Sequence, residues 1–334
     1  MRAMIVRAPG GLDRLELADL RDPAAPGPGQ VAVRIRASSL NYHDYVVALG
    51  QVPLDGDRIP MSDGAGEITA VGEGVTEFAV GDRVMSTFYA NWPDGESGNR
   101  RLQIYGESLD GFACEQVVAP AVNFTRIPKN YSWIEAATLP CAALTAWRAL
   151  AVESTTKPGD QVLVLGSGGV SLFALQFAKA MGARVIATSS SDEKLERLSA
   201  LGADATVNYR REPDWGNAVR KLSDGGVDHV IDVGGALTLP QSIMAARRNS
   251  QITLIGIMAG DSGPIPTTLF MTKQLRLVGI TVGNRKHQQE MVAGIDAIGL
   301  KPVIDKVFPL EGLAEAFRHQ GAGSHFGKVA VELN

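Results

Sequence analysis

The stretch Val162-Leu163-Val164-Leu165-Gly166-Ser167-Gly168-Gly169-Val170-Ser171-Leu172-Phe173 decides the reading of this chain. Four apolar residues make a strand and four small ones a loop. Leu172, Phe173, Leu175, Phe177 and Ala178 then make an apolar helix that stops at Gly182. A second strand with Val185, Ile186 and Thr188 completes a βαβ unit. The glycines fall at the turn between strand and helix, where bare backbone admits a pyrophosphate and the helix start offers unpaired N–H groups. Gly166, Ser167, Gly168, Gly169 and Val170 are therefore the expected phosphate cradle. The third glycine position holds Ser171, still small enough for close packing of helix on strand. A βα turn that binds nothing is the alternative, and the flanking strand, helix and second strand argue against it.

The chain has 334 residues, a length that suits about two domains. Its 45% hydrophobic and 20% charged content is ordinary for a globular protein. A net charge of −4 leaves no basic footprint for nucleic acid or an anionic membrane. No apolar run reaches the roughly 18 residues of a membrane span. Two cysteines, Cys114 and Cys141, make neither a disulfide framework nor a four-cysteine zinc lobe, so a cytoplasmic setting is expected.

From Ala3 to about Val122 short β runs alternate with Pro/Gly turns: Ile5–Val6, Leu15–Leu17, Val31–Ile35, Gly66–Val71, Arg83–Met85 and Glu115–Val118. One helical stretch, about Asn41 to Leu49, interrupts them, and the pattern predicts a barrel-like β unit. Helices over Ser132–Leu139 and Thr145–Ala151 follow. Strands (Thr206–Asn208, His229–Val233, Leu254–Ile257, Leu277–Val282) then alternate with helices (Trp215–Leu222, Leu239–Arg247, Gln288–Ile298), the pattern of a doubly wound parallel sheet. Val303–Phe308 and Lys328–Val331, around a helix at Leu313–His319, return to the character of the first third. The expected fold is α/β, with a nucleotide-binding domain over 126–299 inserted into a β-barrel domain made of 1–125 and 300–334.

Asn41-Tyr42-His43-Asp44, Asp63-Gly64-Ala65-Gly66-Glu67 with Val71-Gly72, Gly81-Asp82-Arg83-Val84, Leu139-Pro140-Cys141, Thr145-Ala146-Trp147, the glycine loop and Gly327-Lys328-Val329 occur in one order along nearly the whole chain. In this the chain resembles the medium-chain dehydrogenase/reductase superfamily, and specifically its zinc-free branch of quinone oxidoreductases and enoyl reductases. The resemblance implies a doubly wound Rossmann sheet inserted into a GroES-like barrel.

An NAD site carries an acid about 20 residues beyond the loop, on the ribose 2′-hydroxyl. Here the second strand ends in Thr188-Ser189-Ser190-Ser191, so Ser189 and Ser190 suit a 2′-phosphate; Ser190, followed by Glu193, equally suits a helix cap. Lys194 opposes the helix dipole unless a phosphate lies beside it. Tyr209 and Arg210 follow the third strand, and the resemblance implies a Lys and a Tyr at such positions; Arg210 and Arg211 are otherwise solvated surface. NADP(H) is the expected cofactor.

Zinc-dependent members of the superfamily bind their metal through Cys, His and Cys, positions that map to Asn41, Ser62 and Cys141. An amide, a hydroxyl and one thiol suit zinc poorly, so no metal is expected and Cys141 reads as a small buried residue. Trp92, Tyr89 and Tyr105 lie in the cysteine-free loop Met85 to Gly111, which is expected to shape a substrate pocket.

Without a Lewis acid, hydride goes most readily to a conjugated acceptor whose charge delocalises, with hydrogen-bond donors as the oxyanion site. Asn41 is the candidate donor and His43 the candidate proton source, against a packing role for the ring. Tyr42 faces either substrate or cofactor. Asp44 reads as a structural acceptor that orients the helix. The resemblance puts a Tyr where Val46 stands, leaving Tyr45 as a substitute. It also implies that Thr145 meets the nicotinamide amide and Lys328 the pyrophosphate. Ile257 and Val282, at strand ends, pack either the nicotinamide ring or the core. The expected activity is NADPH-dependent, zinc-independent reduction of a quinone or α,β-unsaturated carbonyl. An NADP-dependent alcohol dehydrogenase or carbonyl reductase and a non-catalytic NADPH-binding protein are the alternatives. An apolar edge strand around Leu275–Val282 predicts a homodimer.

Overall fold

A computed structural model describes residues 1–333; Asn334, the last residue of the expected 300–334 segment, lies outside them. The chain divides into two units, Met1–Leu144 with Gly283–Asn334, and Thr145–Val282. The first begins with β1 (Arg2–Val6) and β2 (Leu15–Asp19), an antiparallel pair. β3 (Gln30–Ser39) follows, then the short helix α1 (Tyr42–Ala48), β4 (Asp63–Val71), β5 (Arg83–Ser86), β6 (Gln116–Pro120) and β7 (Phe124–Arg126). Alternation along β3 buries Val31, Val33 and Ile35 together with Ile68, Phe112 and Phe124. Gly66 is required in β4, because a Cβ there would lie 2.0 Å from the Arg34 carbonyl oxygen.

A helical run from Trp133 to Glu153 follows: α2 (Trp133–Ala137), a wide i→i+5 turn over Leu139–Ala143, α3 (Leu144–Trp147) and a second wide turn over Arg148–Glu153. The second unit then runs β8 (Gln161–Leu165), α4 (Gly169–Ala180), β9 (Arg184–Ser189), α5 (Asp192–Ala200), β10 (Ala205–Asn208), α6 (Trp215–Leu222), β11 (Val227–Asp232), α7 (Leu239–Ala245), β12 (Ala246–Leu254), α8 (Thr267–Thr272) and β13 (Arg276–Gly279). Its sheet is parallel throughout, in the order β10-β9-β8-β11-β12-β13. This is the doubly wound arrangement with the βαβ unit of the glycine loop at its centre.

The chain returns to the first unit with α9 (Arg285–Ile298), β14 (Ile304–Pro309), α10 (Leu313–Gly321) and β15 (Lys328–Glu332). These strands extend the barrel sheet to β14-β15-β3-β4-β5-β7, with β6 also on β3.

The unit boundaries differ from the expected 125/126 and 299/300 for a physical reason. Ser39 donates its hydroxyl to the Ala137 carbonyl at 2.8 Å, tying α2 to β3. Gln288 on α9 donates to Ser86 O at 2.9 Å and to the Thr125 hydroxyl at 2.7 Å. Both helices therefore belong with the β unit. The expected helix Leu239–Arg247 stops at Ala245, because the Lys273 ammonium donates to the carbonyls of Ile243, Met244 and Ala246. The strand expected at Leu254–Ile257 ends at Leu254, where it was expected to begin. Of the three aromatic residues in the Met85–Gly111 loop, Tyr105 lines a cavity together with Gln103, Leu109 and Cys114. Tyr89 packs on Phe88 and Trp92, and Tyr105 lies against Phe112 with its hydroxyl accepting from Asn123 at 2.7 Å, so all three are core.

Candidate active site

Strand register assembles the polar cluster of the first unit. Ser39 on β3 pairs with Asp63 on β4 and with Ala330 on β15, and Leu40 donates to the Val329 carbonyl. Three strands thus bring Leu40–Asn41, Ser62–Asp63 and Lys328 to one place, and all of these side chains but that of Leu40 are polar and buried. Asp44, on the first turn of α1, accepts from the Asn41 N–H at 2.9 Å and the Ser62 N–H at 2.8 Å, the structural role its position suggests. The Asn41 amide is held at both ends. Its Oδ1 accepts from the Lys328 ammonium at 2.5 Å, and its Nδ2 donates to the Ser62 hydroxyl at 3.2 Å. Lys328 also donates to the Leu40 carbonyl at 2.5 Å. Expected at a pyrophosphate, it is instead 3% exposed and bound within the β unit.

Asp63 accepts from the Cys141 N–H at 3.3 Å through one oxygen; the other is buried without a directed hydrogen bond among the described residues. Burial raises its pKa to about 7, with Lys328 pulling down and Asp44 pushing up. Burial likewise raises Asp44, against the pull of His43 and the two N–H groups. The Cys141 thiol is pushed well above its ordinary value by burial and by Asp63.

His43 Nε2 lies 3.0 Å from Glu107 Oε2, at an angle short of a directed hydrogen bond, and its ring meets Phe88 edge-on at 5.8 Å. Burial pulls the His43 pKa down, but Glu107, Asp44 and Asp63 outweigh it and the net shift is upward. Sequence reasoning missed Glu107, which comes from a distant loop with no motif around it. Tyr42 is 41% exposed, while Tyr45 packs toward Phe317 of the core, its ring 6.3 Å away.

In the second unit Gly166 has φ +79°, which favours glycine. Gly168 caps α4 with an ordinary negative φ, and a Cβ added there would meet nothing within 4 Å. Nothing in the chain itself requires Gly168 to be bare; a group lying over the loop would. Gly169 and Val170 open α4, Ser167 is buried beside them, and the Ser171 hydroxyl donates to the Leu165 carbonyl at 2.7 Å. At the tip of β9, Ser189 is buried and Ser191, rather than Ser190, caps α5 by accepting from the Lys194 N–H. Tyr209 is 41% exposed after β10, and its N–H donates to Ser189 O at 3.1 Å. Arg211 is committed to Asp192. Thr145 is buried. Ile257 and Val282 lie just past β12 and β13 rather than in them, Ile257 exposed and Val282 buried with φ +43°. A β-branched residue in that conformation is strained, as residues at functional sites often are. Arg148 helps to hold it, donating to the carbonyls of Thr281 and Val282.

Residues 27–129 match the family model for the alcohol dehydrogenase GroES-like domain, and 169–297 that for zinc-binding dehydrogenases. The chain belongs to the medium-chain dehydrogenase/reductase superfamily. It is 43% identical to a zinc-type alcohol dehydrogenase-like protein of Schizosaccharomyces pombe, over 97% of this chain and 96% of the relative. A solved NAD-dependent alcohol dehydrogenase has 39% identity, a TM-score of 0.91 and complete coverage of both chains. An acryloyl-coenzyme A reductase of Sulfurisphaera tokodaii is 29% identical over 99% of this chain and 97% of its own. As a superfamily member the protein is an oxidoreductase of the alcohol dehydrogenase family.

The family's zinc does not fit the residues present. Asn41 and Ser62 carry no charge to give a metal, the Cys141 thiol is held protonated, and an ammonium already binds the Asn41 oxygen. Among the described residues no group of three His, Cys, Asp or Glu could hold an ion.

Proposed function

We propose that this oxidoreductase is an NADPH-dependent reductase that works without zinc and reduces a quinone or an α,β-unsaturated carbonyl. The observation that carries the reading is the Asn41–Ser62–Lys328 cluster, which offers hydrogen-bond donors where zinc-dependent relatives offer a Lewis acid. Donors suffice when the charge left by hydride addition is delocalised. Bound NADPH supplies the hydride. Asn41 Nδ2 stabilises the oxyanion, and His43, its pKa raised beside Glu107 against the effect of burial, gives the proton that completes the reduction.

Gly166 to Val170 hold the pyrophosphate, and Thr145, Ile257 and Val282 the nicotinamide. Support for a 2′-phosphate comes from the hydroxyls of Ser189 and Ser190, from Tyr209, and from the positive charge that Lys194 brings to the first turn of α5. The alcohol dehydrogenases among its relatives favour a second reading, an alcohol dehydrogenase or carbonyl reductase of the same superfamily. The exposed Leu277 on edge strand β13, with Met271 and Ile265 before it, supports a homodimer.

The test measures NADPH and NADH affinities by calorimetry for wild type and Lys194→Ala, then NADPH oxidation by quinones and enones beside alcohol-dependent NADP⁺ reduction. Lys194→Ala should weaken NADPH about tenfold and leave NADH unchanged. Turnover on alcohols alone would favour the second reading, and tight NADPH binding without turnover on either panel a non-catalytic protein.

A further inference from the structure

The mismatch between the family's metal and this chain's residues has a positive side. Lys328 is a lysine 3% exposed, with two donor bonds of 2.5 Å, one to the Leu40 carbonyl and one to the Asn41 amide oxygen. Two buried carboxylates lie beside Asn41: Asp44 accepts from its backbone N–H, and Asp63 interacts with its side chain. The cluster therefore carries a fixed cation amid acidic groups, as a metal site does, but the cation is part of the chain.

We propose that Lys328 is a positioning residue that acts through Asn41 in place of a metal: its ammonium fixes the amide in one orientation and polarises it, so that Nδ2 becomes a stronger donor. The physical basis is cooperative. A hydrogen bond accepted from a cation at Oδ1 draws density from the amide nitrogen, and the effect is largest where water is excluded. The flip that would put Oδ1 toward Ser62 would set Nδ2 against the ammonium, two donors face to face, so one orientation wins. Asp44 fixes the backbone of Asn41 from the other side. This inference rests on the reading that Asn41 is the donor to the acceptor's oxygen.

The experiment compares wild type, Lys328→Met, Lys328→Arg and the charge-neutral pair Asp63→Asn/Lys328→Met, which keeps the fold testable if a lone buried Asp63 destabilises Lys328→Met. Three quantities are read: NADPH Kd by calorimetry, kcat at saturating coenzyme, and the Asn41 side-chain amide resonances in ¹⁵N-asparagine-labelled protein, assigned with Asn41→Asp. Loss of the ammonium should lower kcat on the order of 30-fold, the range for a hydrogen bond to a charged group. NADPH Kd should stay within threefold, the Asn41 resonances should move, and Lys328→Arg should recover part of kcat. An NADPH Kd raised tenfold or more with kcat intact would return Lys328 to the pyrophosphate and overturn the inference. So would Asn41 resonances unmoved in both methionine variants. A wild type inactive on every acceptor would sink the reductase reading instead, and the resonances would still decide this one.

Discussion

Asp44 offers the sharpest test of how the cluster is built. Its carboxylate, 2% exposed, accepts the Asn41 N–H at 2.9 Å and the Ser62 N–H at 2.8 Å. Asp44→Ala leaves both N–H groups buried without an acceptor, at about 1–3 kcal/mol each, so the loss should be about 4 kcal/mol. Asp44→Asn keeps one acceptor oxygen and turns an NH₂ toward the other donor, so about half that loss should remain. Against a usual total of about 5–15 kcal/mol, the first variant is severe and the second tolerable. Urea denaturation followed by fluorescence reads the result, with Trp92 and Trp133 reporting on the β unit and Trp147 and Trp215 on the nucleotide unit. The loss should fall on the transition of the β unit alone. Asp44→Ala losing under about 1 kcal/mol, or destabilising the nucleotide unit as much, would refute this account of the carboxylate.

Gly168→Ala should change stability by less than about 1 kcal/mol, since its Cβ meets nothing and only a modest capping preference is lost, yet weaken NADPH binding at least tenfold in calorimetry. His43 and Glu107 should show a coupling of about 0.5–1 kcal/mol in a double-mutant cycle at pH 5.5. The raised His43 pKa makes that term present below the imidazole's unfolded value and lost as pH rises through the folded one; the lowered Glu107 pKa removes it again in acid. At pH 9 the coupling should be gone. Asp63 has a folded pKa of about 7, above its unfolded value of 3.8, so its contribution is full in acid and lost as pH rises through the folded value. The stability of wild type relative to Asp63→Asn should therefore fall from about pH 4 to pH 7 and level off above.

The alternation of strands and helices in the inserted unit and the glycine loop were legible because hydrophobic period and glycine spacing are local signals. α6 was expected at the same residues, Trp215–Leu222, that form it. What was not legible depends on distant partners. Lys273 stops α7 from a later segment, and β7 is too short for its pattern to register. At the site, Asn41, His43 and Asp44 were visible as a motif, but Glu107 and the capture of Lys328 were not. Those pairings are set by the loop after β5 and by the register of β15 on β3, neither of which a linear reading can place.

The pairing of Ser39 with Ala330 has a consequence for biosynthesis. The segment Thr145–Val282 is contiguous and can close its own sheet while the ribosome is still at work. The barrel must wait, because one of its inner strands, β15, follows the whole nucleotide unit in the chain. Lys328 arrives with that strand, so the nascent chain carries Asp44 and Asp63 without their cation until β15 has emerged. A chain cut before β15 should thus yield a folded Thr145–Val282 unit joined to an unfinished barrel, a state that quality-control proteases would be expected to find.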